Sequence, residues 1–300
     1  MTSKISAGTI PFAFKGEILQ TWYKVFGDIC SGTSRPLVVL HGGPGISHDY
    51  MIPISDIASF PEAQVIIFYD QMGNGQSTHL RLKEPAFWTI DLFIELVNLL
   101  SYFGIGETRS FDLLGHSWGS ILAAEFIIRR QPSGLKHLIL ANSLASARLR
   151  NIAVARLRKQ LPEETQTILR GCDAVGDTSS DNYKAALFVY YKHFLCPLEP
   201  IPEPILFSFE QSQKIYPSLL RSMKNEINGD WDITSKVQLI RTPTLLINGE
   251  YDFEADDVCA PFFRSVEKIK WVKFAQSSHM PHWEERERYM QVIETFLRDI

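Results

Sequence analysis

Two kinds of hydrophobic pattern alternate along the chain. Residues 35–43, RPLVVLHGG, and 63–71, AQVIIFYDQ, are short continuous apolar runs that break at glycine or polar residues. Such runs predict strands buried on both faces. Residues 19–27, LQTWYKVFG, alternate and are rich in Thr, Trp, Tyr and Val, which predicts a half-exposed strand. Residues 89–104, TIDLFIELVNLLSYFG, carry apolar positions at helical spacing and stop at Gly104. SFDLLG then reads as a strand, SILAAEFIIRRQP as a helix ending before Pro132, and LKHLILANS (135–143) as another strand. Strands alternating with helices predict a mostly parallel central sheet flanked by helices.

The style changes after residue 143. ASARLRNIAVARLRKQLP, SDNYKAALFVYYKHFL and PEPILFSFEQSQKIYPSLLRSMKNE are helical patterns with no buried strand among them. The strand style returns with TPTLLINGEYD (242–252) and IKWVKFAQSSH (269–279), followed by a last helix, WEERERYMQVIETFLRDI. This predicts an α/β core in two parts, 1–143 and 238–300, with an inserted helical lid over 144–237.

Composition narrows the class. The chain has 300 residues, 45% hydrophobic and 21% charged, which suits one large globular unit. A net charge of −4 offers no basic field for nucleic acid or anionic lipid. No apolar run approaches the roughly 20 residues of a membrane helix, and the N-terminus lacks the apolar core of a signal peptide. Cys30, Cys172, Cys196 and Cys259 show no C-x-x-C spacing. They read as reduced thiols in a cytoplasmic setting.

In open parallel sheets, function gathers at the carboxyl ends of the strands. Four of those ends carry chemistry: HGGPG (41–45), GHSWG (115–119), GEYD (249–252) and SSH (277–279). A G-x-S-x-G pattern arises by composition roughly 0.1 times in such a chain, so context decides. The strand before GHSWG and the helix after it supply that context. They predict a sharp turn presenting Ser117 as a nucleophile and the Trp118 N–H as an oxyanion donor. HGGPG is expected by composition in only about one such chain in ten thousand. It places Gly43 as the second oxyanion donor.

A serine hydroxyl needs a base. His279, just after the last strand, is the candidate. His282 is its rival, expected to enter the final helix, and His116 is expected to pack or tune. Asp252 is the candidate to orient the imidazole. Asp256 and Asp257 are read as solvated or capping residues. No metal-ligand spacing is visible, and the chemistry needs neither metal nor cofactor.

HGGPGISHDY, YDQMGNGQS, GHSWGS, GEYD and SSHMPHWEER together resemble the proline iminopeptidase family of α/β-hydrolases. The likeness is nearest to the subgroup with the tricorn-associated aminopeptidase. It extends through YYKHFLCPLEP and NEINGDWDIT of the lid. The resemblance implies an α/β-hydrolase fold with the order Ser117, Asp252, His279. It also implies acidic residues that bind a substrate's free α-amino group, here matched to Glu226 and Glu250. Paired carboxylates beside a desolvated ammonium give charge-assisted hydrogen bonds. The chain departs from relatives in carrying only INGD between Glu226 and Trp231, and in Ser120, Met72 and Gln76.

The leading expectation is therefore a serine aminopeptidase acting on a small peptide or amino-acid amide. An amidase, esterase or lactonase acting on a small metabolite is the alternative. Phe188, Tyr190, Phe207 and Tyr216 are then candidates for an apolar lid pocket. The remote alternative is a non-catalytic binding protein on the same fold. Neither a nucleic-acid nor a membrane partner is expected.

Overall fold

The structure, a computed structural model, describes residues 4–31, 35–60, 64–80, 83–84, 87–89, 91, 94–177, 179–213 and 229–298. Glu226 and Tyr216 lie outside the described residues. The eight strands are β1 (Ile5–Phe14), β2 (Glu17–Phe26), β3 (Leu37–Leu40), β4 (Ile66–Tyr69), β5 (Phe111–His116), β6 (Leu135–Ala141), β7 (Thr244–Gly249) and β8 (Ile269–Phe274). They form one sheet in the order β1-β2-β4-β3-β5-β6-β7-β8. β1 with β2 and β2 with β4 pair antiparallel, and every other pair is parallel.

The apolar runs occupy the middle of this sheet because helices cover both of its faces there. All residues of β3, β4 and β5 are buried. Side chains alternate across a strand, so one run supplies two cores. Val38 and Leu40 join one cluster with Trp118, Ile121 and Leu246, while Leu37 and Val39 join the other with Ile54, Ile247 and Ile293. Trimming such a side chain to Ala costs about 2–5 kcal/mol.

The described helices are α1 (Ile94–Tyr102), α2 (Trp118–Arg130), α3 (Ala147–Arg158), α4 (Glu163–Val175), α5 (Asp181–Phe194), α6 (Glu203–Gln213), α7 (Asp256–Ser265), α8 (Pro281–Glu284) and α9 (Arg286–Arg298). Four of them, α3 to α6, fall between β6 and β7 in the chain. They bring a third apolar cluster, in which Leu157, Leu169, Tyr190 and Phe194 pack with Phe253 of the core. The strand β1, helices α4 and α7, and a 3-10 helix over His48–Ser59 were not evident from periodicity. Pro53 and Pro261 interrupt two of those patterns. α4 has only Thr165 and Leu169 buried, so its apolar stripe is thin.

All four cysteines are free. Among the described residues, no helix is long and apolar enough to cross a membrane.

Candidate active site

Ser117 caps the N-terminus of α2 directly after β5, with φ 54° and ψ −122°. A non-glycine residue in that region carries about 1–3 kcal/mol of strain, and persists only where its surroundings dictate it. Here they do. Ser117 N–H donates to the Ala141 carbonyl (2.9 Å), and its own carbonyl accepts from Ser120 N–H (2.9 Å). The flanking glycines are required by contact: a Cβ on Gly115 would stand 2.4 Å from the Gly119 carbonyl oxygen, and one on Gly119 would stand 2.1 Å from that of Leu40. The turn thus presents Ser117, half-buried, at the start of a helix whose first N–H groups have no helical partner.

Opposite this turn runs the HGGPG loop. His41 Nδ1 donates to the Gly42 carbonyl (2.9 Å), because a carbonyl can only accept. His41 Nε2 then accepts from the Gln71 N–H (3.0 Å). Burial holds the His41 pKa down to about 4, against the pull of Asp70, so this tautomer is neutral. Since Gly42 O is fixed, the Gly43 N–H of the same trans peptide must face the other way. Gln71 closes the circle by donating to the His41 carbonyl (2.7 Å) and accepting from the Trp118 indole N–H (3.0 Å). One buried glutamine therefore links His41, at the start of the loop, to the Trp118 side chain.

His279 and Asp252 meet at the ends of β8 and β7, with Nδ1 2.7 Å from Asp252 Oδ1. Both are buried. Asp252 also accepts the Glu254 N–H at Oδ1 (2.9 Å) and the Asn142 amide at Oδ2 (2.7 Å). Burial favours the neutral acid, but these donors suit a carboxylate. The imidazole is pushed well below the usual histidine range, by burial first and then by the Arg150 charge. It rests neutral, with Nε2 as the nitrogen not engaged by Asp252. Phe253 stacks on the ring at 4.0 Å.

Ser117, His279, Trp118 and Gly43 border one cavity of ≈ 560 Å³. A cleft of ≈ 570 Å³ lies around Arg35, Lys136 and Arg241, at the opposite ends of the strands. Size therefore does not select the site, and the side chains do. The active cavity is walled by Ile46, Leu144, Val154, Leu187 and Phe209, with Arg150, Arg158 and Glu254 as its charged members. Glu254 is 1% exposed. Its Oε1 lies 2.9 Å from Arg150 Nε, while its Oε2 has no hydrogen-bond partner. Burial raises its pKa to about 8, against the Arg150 charge.

Several expectations need correction. Glu250 does not reach this cavity: it is exposed at the end of β7 and pairs with Lys273 at 2.6 Å. The turn after β7 points Glu250 outward and brings Glu254 inward instead. Phe188 and Phe207, 55% and 46% exposed, face away from the cavity, whereas Tyr190 borders it. His282 sits in the short α8 and contacts the Tyr50 carbonyl (3.1 Å). Asp256 and Asp257, read as solvated or capping residues, are exposed in the first turn of α7, where Asp257 pairs with Arg156. Asn142, Phe253, Glu254 and Arg150 were missed. Asn142 carried a signal, standing directly after β6 at the carboxyl edge of the sheet. Arg150 recurs with Val154 and Arg158 at intervals of four along α3. Among the described residues, no group of three His, Cys, Asp or Glu side chains could hold a metal ion.

Comparison with known proteins gives the fold and the family. Residues 35–286 match the family described as the alpha/beta hydrolase fold. The chain is 32% identical to the proline iminopeptidase of Saccharolobus solfataricus, covering 94% of this chain and 90% of that protein. It is 32% identical to the one from Thermoplasma volcanium, covering 91% and 92%. Among solved structures, VinJ superposes with a TM-score of 0.89 at 32% identity, over 97% of this chain and 98% of that one. The proline iminopeptidase of Mycobacterium smegmatis gives 0.85 at 33%, over 97% of each. The chain belongs to the proline iminopeptidase family of α/β-hydrolases, and is a hydrolytic enzyme of that aminopeptidase family.

Proposed function

We propose that this enzyme releases the N-terminal residue, proline among the candidates, from small peptides or amino-acid amides through an acyl-enzyme. The observation that carries this reading is the buried His279–Asp252 pair, bordering the same cavity as Ser117 on its strained turn. Ser117 Oγ bonds to the substrate carbonyl carbon as its proton passes to His279 Nε2. The carbonyl electrons move onto oxygen, where the N–H groups of Trp118 and Gly43 receive them. His279 then returns the proton to the leaving nitrogen, and the carbon–nitrogen bond breaks. Water repeats the sequence to free the acid. Asp252 keeps the imidazole in its Nδ1–H tautomer and stabilises its charged form.

The free amine is received by Glu254. Its Oε2 is a buried acceptor without a donor, a costly state that a substrate ammonium relieves. Helices α3 to α6 act as the lid, supplying Arg150, Arg158 and Tyr190 to the cavity.

A second reading, an amidase, esterase or lactonase for uncharged acyl groups, is favoured by one observation. Glu254, the cavity's one carboxylate among the described residues, is already paired with Arg150. Substrates decide between them. The aminopeptidase hydrolyses prolyl and alanyl arylamides but not their N-acetyl forms. Equal turnover after acetylation would rule out amine recognition and leave the second reading.

A further inference from the structure

Behind Ser117 runs a chain of buried hydrogen bonds that the catalytic steps above do not use. His116 Nε2 lies 2.9 Å from the His279 carbonyl. A carbonyl only accepts, so Nε2 carries the hydrogen. Burial pushes the His116 pKa well below the usual range, so the ring is neutral and Nδ1 is an acceptor. The Tyr50 hydroxyl, 2.8 Å from Nδ1, must then donate to it. The same hydroxyl oxygen accepts the Gly42 N–H at 2.6 Å. Donation therefore runs one way, from Gly42 to Tyr50 to His116 to the backbone of His279. Tyr50 and His116 are each 1% exposed.

The chain links the two elements that must be in register around the nucleophile. Gly42 carries the carbonyl half of the peptide that presents Gly43 N–H. Its carbonyl is held by His41 and its N–H by Tyr50. A Cβ on Gly42 would stand 2.7 Å from the Tyr50 hydroxyl and 2.9 Å from Ser117 Cβ, so the chain packs directly against the serine. Tyr50 also anchors the far side of the His279 loop. Its carbonyl accepts from His282 Nε2 (3.1 Å) and from the Trp283 indole (2.6 Å). Its N–H donates to Ser208 Oγ of α6 (2.9 Å).

We propose that Tyr50 and His116 are positioning residues that hold the oxyanion loop and the His279 loop as one rigid unit around Ser117. The inference rests on the roles given above to Ser117, His279 and Gly43. Small displacements of such groups cost up to about 100-fold in rate. Tyr50 and His116 border the cavity beside Ser117 but expose only 1% of their surface, so the unit acts through the placement of the reacting groups and its loss should fall on kcat rather than KM.

The test uses the full-length chain and an arylamide or ester that the wild type turns over. Tyr50→Phe and His116→Leu each break the chain and are expected to lower kcat by about 10- to 100-fold, with KM within about twofold. A substrate-like boronic acid, which forms the tetrahedral adduct, weakens by the same factor. His116→Gln, which keeps a donor for the His279 carbonyl, recovers most of the rate. The double variant Tyr50→Phe/His116→Leu is no slower than either single variant, because both break one chain. Multiplying losses, a loss carried by KM, or unchanged kcat would each overturn the proposal. If Tyr50→Phe yields no folded protein, the His116→Leu and His116→Gln pair decides alone. A wild type that no serine-directed reagent labels would instead sink the underlying catalytic reading.

Discussion

The imidazole of His279 lies nearly flat on the ring of Phe253, with centroids 4.0 Å apart and planes 27° from parallel. Phe253 follows Asp252 in sequence, so one turn after β7 supplies both the hydrogen-bond partner and the platform for the base. Stacked rings contribute about 0.5–1.5 kcal/mol beyond burial. Phe253→Ala is therefore expected to lower kcat about 2- to 10-fold. Steady-state kinetics on an arylamide substrate checks it, and an unchanged kcat would mean the hydrogen bond alone holds the ring.

Asn142 holds Asp252 from the other side. Its φ of 52° lies in the left-handed region, which asparagine tolerates and glycine adopts freely. Asn142→Gly therefore removes the amide donor while keeping the backbone. A hydrogen bond to a charged group contributes about 1.5–3 kcal/mol, so kcat should fall by about 10- to 150-fold. A fall in melting temperature with kcat intact would instead assign the amide to stability.

The elbow glycines make a stability prediction. A Cβ on Gly119 would stand 2.1 Å from the Leu40 carbonyl oxygen, and backbone cannot step aside as a side chain can. Gly119→Ala should destabilise the fold by about 3 kcal/mol or more. Gly171→Ala is the control, since nothing lies within 4 Å of its Cβ position, and glycine within a helix is itself unfavourable. Denaturant melts of the two variants should shift in opposite directions.

The pH profile should depend on the substrate. His279 acts as a base only when neutral, and burial holds its pKa well below the usual histidine range. For an amine-free ester, which needs only the neutral base, kcat/KM should be level between about pH 7 and 8 and fall at low pH as His279 gains its proton. For an aminoacyl arylamide, an ionised Glu254 must meet a charged amine. Glu254 ionises at about 8, so kcat/KM should climb toward pH 8. It should then fall as the substrate amine, with a pKa of about 8, loses its proton. Glu254→Gln should remove the climb for the amine and leave the ester profile unchanged. Identical profiles for both substrates would contradict amine capture by Glu254.

Much of this architecture was legible because the buried parallel strands declare themselves as short apolar runs ending in glycine. RPLVVLHGG and SFDLLGHSWG gave both the strand and the turn chemistry at its end. Strand β1 was harder to read. Of its ten residues only Ile10 and Phe12 are buried, so the alternation covers too few positions to stand out. Which carboxylate of the turn after β7 faces the cavity was misread for a different reason. Glu250 and Glu254 lie four residues apart on a turn, and no periodicity tells which of two turn side chains faces inward. The folded geometry separates them: Glu250 reaches Lys273 at the surface, while Glu254 is covered by Arg150. His116 was read only as a packing or tuning residue, and its partner Tyr50 was hidden, since the bond between them joins positions 66 residues apart.

The central claim is that Ser117 is the nucleophile of a Ser117–His279–Asp252 triad. Treatment with a fluorophosphonate, read by intact-protein mass and peptide mapping, tests it most directly. The wild type should gain a single adduct on Ser117, and the Ser117→Ala protein, still folded, should gain none. No adduct on the wild type, or one on another serine, would contradict the account.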